Sequence, residues 1–554
     1  MRVQDVDHAA LLPLYLAAAA AVLALFAGRF AKGAAMTGLA AAAGAAVWVG
    51  LGPDRATFAV GEWHSYVADD AAMGTAALFA GLAVLVAAVS GRQAGEYWFL
   101  LAASAAGGIA LAGARDLVTL VVAVETLTLP LYVLVARPGR AGAEAGTTFL
   151  IASVTASATA LMGAALLYAA SGTVHLAGLG AGLADAHAGL TAAGVALLLA
   201  GLAFKLAAAP LHSWAPLVLE RAPLPVATYL ASASKLGGAA AVTWVVYFGL
   251  AGEASAGITA AVLSVASILI GNLGALVQRR TVPLLAWSGI AHAGYALAPL
   301  AVLATAAGRE QAGPAASATL AYAVFFVLLE AGAFAALTAV RPETADLFAA
   351  DPAPEPGPGP APVTGIGAAP APGTEAATGA ATRAATDTAT DHETGAPLAS
   401  AERRTLKADL ESGGPRGSVL KASAGNAALQ RRDDDPGGRI TELSGLWKAA
   451  PLPAAVLLTA VVGLAGLPPA LAGTFAKVAV LEVLASSAVW LAVVVAAGAV
   501  VGLAYYLPLA RVLLTGRAAA APRRYAVALV LAGLALAAVS LAPQLVLDFT
   551  SVSR

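Results

Sequence analysis

No cysteine occurs among the 554 residues of the sequence, and charged residues are scarce. The missing cysteine excludes structural disulfides and cysteine-ligated iron–sulfur clusters. Only 11% of the residues are charged and 60% are hydrophobic, whereas a soluble protein of this length needs far more charge to cover its surface. The net charge of −1, without a basic face, gives no indication of nucleic-acid binding. The composition therefore predicts a membrane protein.

Apolar runs of about 20 residues, the length needed to cross hydrocarbon, recur along most of the chain. The first run resembles a signal peptide, but residues 1–10 are not basic and further runs follow, so we predict a retained helix. The predicted fold is an all-α polytopic membrane protein of about fourteen transmembrane helices. The predicted spans are 10–28, 33–51, 71–90, 97–114, 116–136, 145–170, 188–212, 223–250, 257–277, 282–304, 317–340, 450–484, 486–514 and 523–547.

Prolines interrupt two of these spans. The span 188–212 meets Pro210 before a second short piece starts at Trp214, and the span 450–484 is too long for one crossing and contains Pro468–Pro469. Proline removes a backbone donor and clashes with the preceding turn, so the freed carbonyls need other partners. Broken helices of this kind line ion paths in many transporters. We therefore predict two broken helices, near Pro210 and near Pro468–Pro469.

The loop charges predict an orientation. With the N-terminus outside, the outer loops hold only Arg2, Arg55, Arg115, Arg309 and Arg554, and the inner loops hold Arg29, Lys32, Arg92, Arg137, Arg140, Arg221, Arg279, Arg280, Arg341, Arg511, Arg517, Arg523 and Arg524. This asymmetry follows the positive-inside rule. Both termini are therefore predicted to lie outside the membrane.

One segment differs in composition from the rest. Residues 342–447 are rich in alanine, proline, glycine and threonine, and they cannot bury enough apolar surface to offset chain entropy. We predict a disordered cytoplasmic insert, with at most a short helix at 406–410 or 427–430, between membrane domains 1–341 and 448–554. Low-complexity growth is favoured over a regulatory role.

Three lysines and no arginine remain inside the apolar runs once the loops and the insert are assigned: Lys205, Lys235 and Lys477. The same sorting of acids leaves Glu125, Glu330 and Glu482 inside spans, with Glu144 at a cytoplasmic entry. Glu125 lies about 14 Å past Asp116 along a helix, and Lys235 about 21 Å past Arg221, so both are deep in the bilayer.

A charge at this depth costs roughly 2.5–3.5 kcal/mol or more. Desolvation moves lysine and carboxyl groups toward their neutral forms, whereas arginine keeps its charge. The exclusive use of lysine thus favours groups that take up and release protons. A paired structural contact is the alternative for any one of these residues. Glu482, five residues after Lys477 and near the end of its span, need not face that lysine.

Two histidines are predicted to be buried, His212 and His292. Imidazole relays protons near neutral pH, and Ser288 and Tyr295 are close to His292 in sequence. For His212 the alternative is a hydrogen bond to backbone freed by the break. The two histidines are not near enough to any third potential ligand to suggest a metal site. The glycine pairs Gly107–Gly108 and Gly237–Gly238 lie inside spans and predict close helix packing.

Five segments together resemble the antiporter-like subunit N of NADH-quinone oxidoreductase, respiratory complex I. The resemblance covers the chain in order, apart from the insert. The segments are VETLTLPLYVLVA (124–136), FKLAAAPLHSWAP (204–216), RAPLPVATYLASASKLGG (221–238), GNLGALVQRRTVPLLAWSGIAHAGYAL (271–297) and GLPPALAGTFAK (466–477).

The resemblance implies fourteen spans with an inverted repeat of five-helix units, spans 4–8 and 9–13. It implies a proton half-channel to Lys205, whose proton affinity Glu125 sets, then transfer through Lys235 and His292 and an exit near Lys477. Glu144, His212, Glu330 and Glu482 are secondary candidates.

The resemblance also implies a multi-pass protein of a bacterial cell membrane that works with the other membrane and peripheral subunits of a complex. No cofactor is expected on this chain, which has no nucleotide-binding fingerprint after a strand. NAD, FMN, iron–sulfur clusters and quinone are expected in the partner subunits.

The sequence departs from the family pattern at several positions. Thr148 stands where the family usually has a lysine, Leu217 where it has an acidic residue, and Arg221 where it has a glycine. The spacing between the GLPP segment and Lys477 also differs by one residue from the spacing in the family. These departures leave a divergent non-pumping paralogue with a scaffold role as one alternative. A subunit of a multi-subunit cation/proton antiporter is the other, because such antiporters share the pattern of buried lysines and glutamates.

Overall fold

The computed structural model describes residues 6–136, 140–341, 438–516 and 525–552, and α-helices dominate these ranges. Within them, ten helices are long and apolar enough to cross a membrane. Three further apolar helices, Leu12–Phe26, Pro451–Ala465 and Ala526–Leu541, are shorter. The all-α polytopic fold is confirmed, and the count of fourteen spans stays a prediction.

The first part of the chain contains helices at the early predicted spans and shorter helices between them. These are α1 (Leu12–Phe26), α2 (Ala31–Gly50), α3 (Asp70–Val89), α4 (Gly95–Gly113), α5 (Leu117–Val135), α6 (Arg140–Ser171), α7 (Leu176–Leu183), α8 (Ala188–Ala203), α9 (Trp214–Arg221), α10 (Leu224–Tyr229) and α11 (Lys235–Trp244). Aspartates cap the N-termini of α3 and α5. The Asp69 carboxylate accepts a hydrogen bond from the Ala72 amide, and the Asp116 carboxylate accepts hydrogen bonds from the amides of Val118 and Thr119. Turns of π-helix, Leu230–Ser234 and Val245–Gly249, interrupt the predicted span 223–250.

The second part continues with α12 (Ala254–Leu276), α13 (Thr281–Leu297), α14 (Ala306–Arg309), α15 (Ala312–Val340), α16 (Leu446–Ala449), α17 (Pro451–Ala465), α18 (Ala472–Ser487), α19 (Val489–Leu514), α20 (Ala526–Leu541) and α21 (Gln544–Leu547). Helix α15 is buried over almost its whole length. It contacts α10, α11, α13, α17 and α18, so both parts of the chain meet around it.

Both predicted helix breaks are present. After α8, one 3₁₀ turn (Phe204–Leu206) leads to Ala207 in the left-handed region, with φ 61°, and α9 starts at Trp214. After α17, Gly466 has φ 80° and α18 starts at Ala472. Side chains satisfy the freed backbone: Trp214 Nε1 donates to the Phe204 carbonyl, and Lys477 Nζ donates to the Leu464 carbonyl.

A β-hairpin follows α2 and was not predicted. Strand β1 (Arg55–Val60) pairs antiparallel with β2 (Trp63–Ala68), Arg55 opposite Ala68 and Val60 opposite Trp63. Gly61, with φ 64°, occupies the turn. These residues lie between the predicted spans 33–51 and 71–90, and no regular structure was predicted for them.

The predicted boundary of the insert is wrong at its C-terminal end. Residues 438–447 contain a 3₁₀ helix, Ile440–Leu443, and the start of α16. Backbone hydrogen bonds tie them to the loop before α13, from Thr281 to Gly438 and from Ile440 to Arg279. These contacts hold the segment in place, which composition alone does not reveal. Residues 342–437, including both possible short helices, lie outside the described residues.

The glycine pairs mark close helix contacts, as predicted. A β-carbon at Gly107 of α4 would overlap the backbone of Leu127 in α5, and one at Gly238 of α11 would come within 2.7 Å of the Leu206 amide nitrogen. These contacts bring α4, α5 and α11 together around the first helix break.

We predict that Gly107→Ala lowers the thermal unfolding midpoint of the purified protein, because the added methyl group meets backbone that cannot move aside. Gly44→Ala is the matched control, since a β-carbon there has no neighbour within 4 Å. Both changes gain about 0.5–1 kcal/mol of helix propensity. Equal midpoints for the two variants would contradict the packing described here.

Candidate functional site

Glu125 and Lys205 form the first of the charged centres. Glu125 lies on α5 and Lys205 in the 3₁₀ turn at the first helix break, with Glu125 Oε1 3.6 Å from Lys205 Nζ. The lysine side chain is 4% exposed and the glutamate side chain 32%. The helix break thus brings a buried ammonium group to a carboxylate that is partly open on the outer face of α5.

Hydroxyl groups of α5 and α6 complete this first centre. Lys205 Nζ donates to Ser153 Oγ at 2.8 Å, and the Tyr132 hydroxyl donates to the same oxygen at 2.6 Å. One turn further along α6, the Ser157 hydroxyl donates to Glu125 Oε1. Lys205 therefore keeps a polar partner when its contact with Glu125 lengthens.

Lys235 and Glu330 form the second centre. Lys235 Nζ lies 2.7 Å from Glu330 Oε2, across the contact between α11 and α15. Their side chains are 2% and 1% exposed, so this pair is more deeply buried than the first. The sequence identified both residues as buried but did not pair them.

His292 on α13 occupies a cluster of aromatic side chains. Its Nδ1 lies 2.8 Å from the Tyr322 hydroxyl and its Nε2 3.1 Å from the Tyr506 hydroxyl. The ring stacks on Phe326, with centroids 4.7 Å apart. Tyr295 packs edge-on against the same imidazole, whereas the Ser288 hydroxyl donates to its own helix at Leu285. His292 is therefore linked to two hydroxyl groups that the sequence analysis did not identify.

Lys477 on α18 lies at the second helix break. Its Nζ donates to the Leu464 carbonyl at 2.9 Å, and in the part of the chain that the structure describes it forms no ion pair. Glu482, on the same helix, instead lines a cavity of about 350 Å³ together with Gln311, Ser317 and Thr550. The two residues thus have different surroundings, in agreement with their offset around the helix.

Glu144 and His212 lie outside the buried set. The carboxylate of Glu144 is paired with Arg221 and is 56% exposed. His212 is only partly buried, so its predicted burial is wrong. Its Nδ1 lies 3.1 Å from the Pro210 carbonyl, which is the contact that the alternative interpretation predicted. The buried histidine that the sequence analysis did not identify is His175, which packs against Trp63 of the hairpin.

An acidic cavity of about 810 Å³ lies where β2 meets α3, lined in part by Asp54, Asp69, Asp70 and Arg115. Arg115 Nη2 donates to Asp69 Oδ2 at 2.6 Å, and its guanidinium lies 4.5 Å from the centroid of the Phe248 ring. Burial, followed by the neighbouring carboxylates of Asp69 and Asp70, raises the pKa of Asp54. Among the described residues, no group of three or more His, Cys, Asp or Glu could hold a metal ion.

The sequence analysis did not identify the hydroxyl partners Tyr132, Ser153, Ser157, Tyr322 and Tyr506. Serine and tyrosine cost little inside an apolar run, since a serine hydroxyl often bonds its own helix and a tyrosine is largely apolar. Nothing in the sequence therefore distinguishes a hydroxyl group facing a lysine from one facing its own backbone.

Membrane helices, two helix breaks and a set of buried lysines define an antiporter-like membrane transport protein. The model of the NADH:quinone oxidoreductase/Mrp antiporter transmembrane family matches residues 114–350 and 422–502. NADH-quinone oxidoreductase subunit N of Salinispora tropica is 41% identical, over 91% of this chain and 84% of that protein. The chain therefore belongs to the NADH:quinone oxidoreductase/Mrp antiporter family and, within it, to the subunit N family, as the sequence resemblance indicated.

Two solved structures share the fold of this chain. A chain of respiratory complex I from Thermus thermophilus with bound aureothin superposes with a TM-score of 0.69 at 26% identity, covering 97% of this chain and 98% of that one. A chain of the Mrp complex from Dietzia sp. gives a TM-score of 0.71 at 20% identity, covering 98% and 96%. The second likeness shows the fold alone.

Proposed function

We propose that this chain is a membrane subunit of NADH-quinone oxidoreductase that translocates protons while electrons pass from NADH to quinone in other subunits. The observation that carries the proposal is the set of three lysines at the two helix breaks and between them: Lys205 and Lys235 are buried, and Lys477 is half-buried. Membership of the subunit N family supports the same conclusion. We assign the proton path to Glu125, Lys205, Lys235, His292 and Lys477.

The packing supports transfer from the first centre to the second. The backbone at Lys205 lies against Gly238, less than one turn from Lys235 on α11. Lys235 Nζ in turn lies 4.9 Å from the centroid of the Phe326 ring, on which His292 stacks. The path therefore follows the middle of the membrane from α5 toward α18, and buried water bridges the steps that no side chain spans.

The exposed part of Glu125 supports a role for a neighbouring subunit at the first centre. A charged side chain facing lipid at the middle of the bilayer costs roughly 2.5–3.5 kcal/mol or more. A partner membrane subunit that covers the outer face of α5 removes this cost. Protonation events in that subunit then change the contact between Glu125 and Lys205.

At the other end of the path, Lys477 delivers protons toward the outer side of the membrane. Glu482 and the cavity that it lines with Ser317 and Thr550 provide a polar exit next to α18. His212 and Glu144 have no transfer step in this scheme, because one bonds to backbone and the other to Arg221.

The redox groups belong to other subunits in this proposal. NAD, FMN, iron–sulfur clusters and quinone are bound by the membrane and peripheral partners of the assembly. The chain lies in a bacterial cell membrane with both termini outside and the insert in the cytoplasm, because the loop arginines collect on one side.

The absence of cysteine makes this orientation straightforward to test. A membrane-impermeant thiol reagent should label Glu310→Cys in intact cells, because the loop before α15 is assigned to the outside. Arg92→Cys, in the loop between α3 and α4, should be labelled only after the cells are permeabilised. The reverse pattern would place the termini in the cytoplasm.

Replacing Lys235 by alanine tests the path itself. In proteoliposomes containing the assembled complex, we expect Lys235→Ala to reduce proton translocation to background while NADH still reduces quinone, because the buried site loses its proton carrier. Lys448→Ala, an exposed lysine near the end of α16, is the control and should pump like the unchanged protein. Normal proton translocation in Lys235→Ala would overturn its assignment.

A cation/proton antiporter subunit is the second candidate function, supported by the fold shared with the Mrp complex chain. An antiporter exchanges cations for protons without an electron donor. Sodium-dependent pH jumps in vesicles given no NADH would favour that function. A strictly NADH-dependent pH change would exclude it.

A further inference from the structure

The buried pair of Lys235 and Glu330 is incomplete as an ion pair. Transferring two charges out of water costs several kcal/mol for each ion, and good geometry with every lone pair satisfied is needed to offset that cost. Glu330 Oε2 receives the lysine at 2.7 Å, but Glu330 Oε1 has no hydrogen-bond partner among the described residues. One carboxylate oxygen is therefore left over inside the membrane domain.

The unpartnered oxygen lies close to Gly289 on α13, and the ammonium group of Lys235 occupies the space that a side chain at Gly289 would fill. A β-carbon at Gly289 would overlap Lys235 Nζ and would lie 2.8 Å from Glu330 Oε1. The missing side chain at Gly289 thus leaves room for both charged groups at one point of α13. Any larger residue at this position would close the space.

This space lies close to the His292 cluster. Gly289 precedes His292 by three residues, about one helical turn. Phe326, one turn before Glu330 on α15, contacts Lys235 on one side and His292 on the other. The free oxygen of Glu330 therefore lies beside Lys235 and about one helical turn of α13 from His292, the two residues that the proposed path connects.

The choice of side chains argues against a purely structural pair. An arginine at position 235 would offer two parallel donors and could satisfy both oxygens of Glu330. Lysine bonds only one of them and, unlike arginine, can lose its proton when it is desolvated.

We propose that Glu330 is a proton-carrying residue that accepts a proton from Lys235 and passes it toward His292; this inference rests on the proposed function. In the transfer, an N–H bond of the Lys235 ammonium breaks and an O–H bond forms on Glu330, leaving a neutral amine and a neutral carboxylic acid. The Glu330 O–H bond then breaks as a buried water accepts the proton and relays it to the His292 cluster, which restores the carboxylate, and Lys235 takes up its next proton from the first centre. Lys235 and Glu330 thus form a second lysine–glutamate switch, after Glu125 and Lys205.

The test uses the assembled complex in proteoliposomes and compares Glu330→Gln with Glu253→Gln, a control beside the start of α12 and outside the path. Glu330→Gln keeps a side chain of the same shape but cannot carry a proton as a carboxyl group. We expect fewer protons pumped per electron, with NADH still reducing quinone. Unchanged pumping in Glu330→Gln would overturn the proposal.

A second variant separates a structural role from proton transfer if the first variant assembles poorly. In Lys235→Met/Glu330→Leu, apolar side chains of similar volume replace the pair, and such replacements are often neutral for stability. We expect this variant to assemble and to reduce quinone but not to pump. Pumping at the level of the unchanged protein would show that the pair is structural.

Infrared difference spectra give an independent readout. On energisation by NADH, the carboxylic-acid C=O band should change in the unchanged protein, and part of this change should be lost in Glu330→Gln. An identical band in both would contradict the proposal. Normal proton pumping in Lys235→Ala would refute the proposed path as a whole. Reduced pumping in Lys235→Ala together with normal pumping in Glu330→Gln would refute only the role of Glu330.

Discussion

The free-energy cost of placing a charge in hydrocarbon governs this structure. Each of the three lysines inside the predicted spans meets that cost differently: Lys205 through a carboxylate and a serine, Lys235 through a carboxylate, and the half-buried Lys477 through a backbone carbonyl. The two helix breaks make two of these contacts possible. The first break places Lys205 in a turn, and the second frees a backbone carbonyl for Lys477 in the middle of the membrane. The breaks and the lysines are therefore parts of one arrangement.

Arginines and lysines have separate roles in the described part of the chain. Arginines lie at the ends of helices in ion pairs: Arg115 with Asp69, Arg221 with Glu144 and Arg280 with Glu220. Because arginine keeps its charge, these pairs fix the geometry of the two membrane faces. Lys205, Lys235 and Lys477 instead lie inside the predicted spans, where the proposed path needs a group that changes its protonation. Arg221 at the end of α9 supplies Glu144 of α6 with its charged partner.

The sequence predicted the helices, both breaks and the buried lysines, because each leaves a local mark: an apolar run, a proline or an isolated charge. Contacts between helices leave no such mark. The pairing of Lys235 with Glu330 joins residues of α11 and α15, and the hydroxyl partners of Lys205 and His292 depend on which helix faces meet. The hairpin at 55–68, the partial exposure of His212 and the ordered residues 438–447 were missed for the same reason, since tertiary packing decides them.

The central claim is that the buried lysines carry protons rather than brace the helices. Its most direct test is the simultaneous replacement of Lys205 and Lys477 by methionine, which keeps side-chain length and removes the titratable group at both helix breaks. Proton translocation per electron is then measured in proteoliposomes containing the assembled complex. We predict that quinone is still reduced and that proton translocation through this subunit is lost. Pumping equal to that of the unchanged protein would contradict the claim and would make the chain a scaffold.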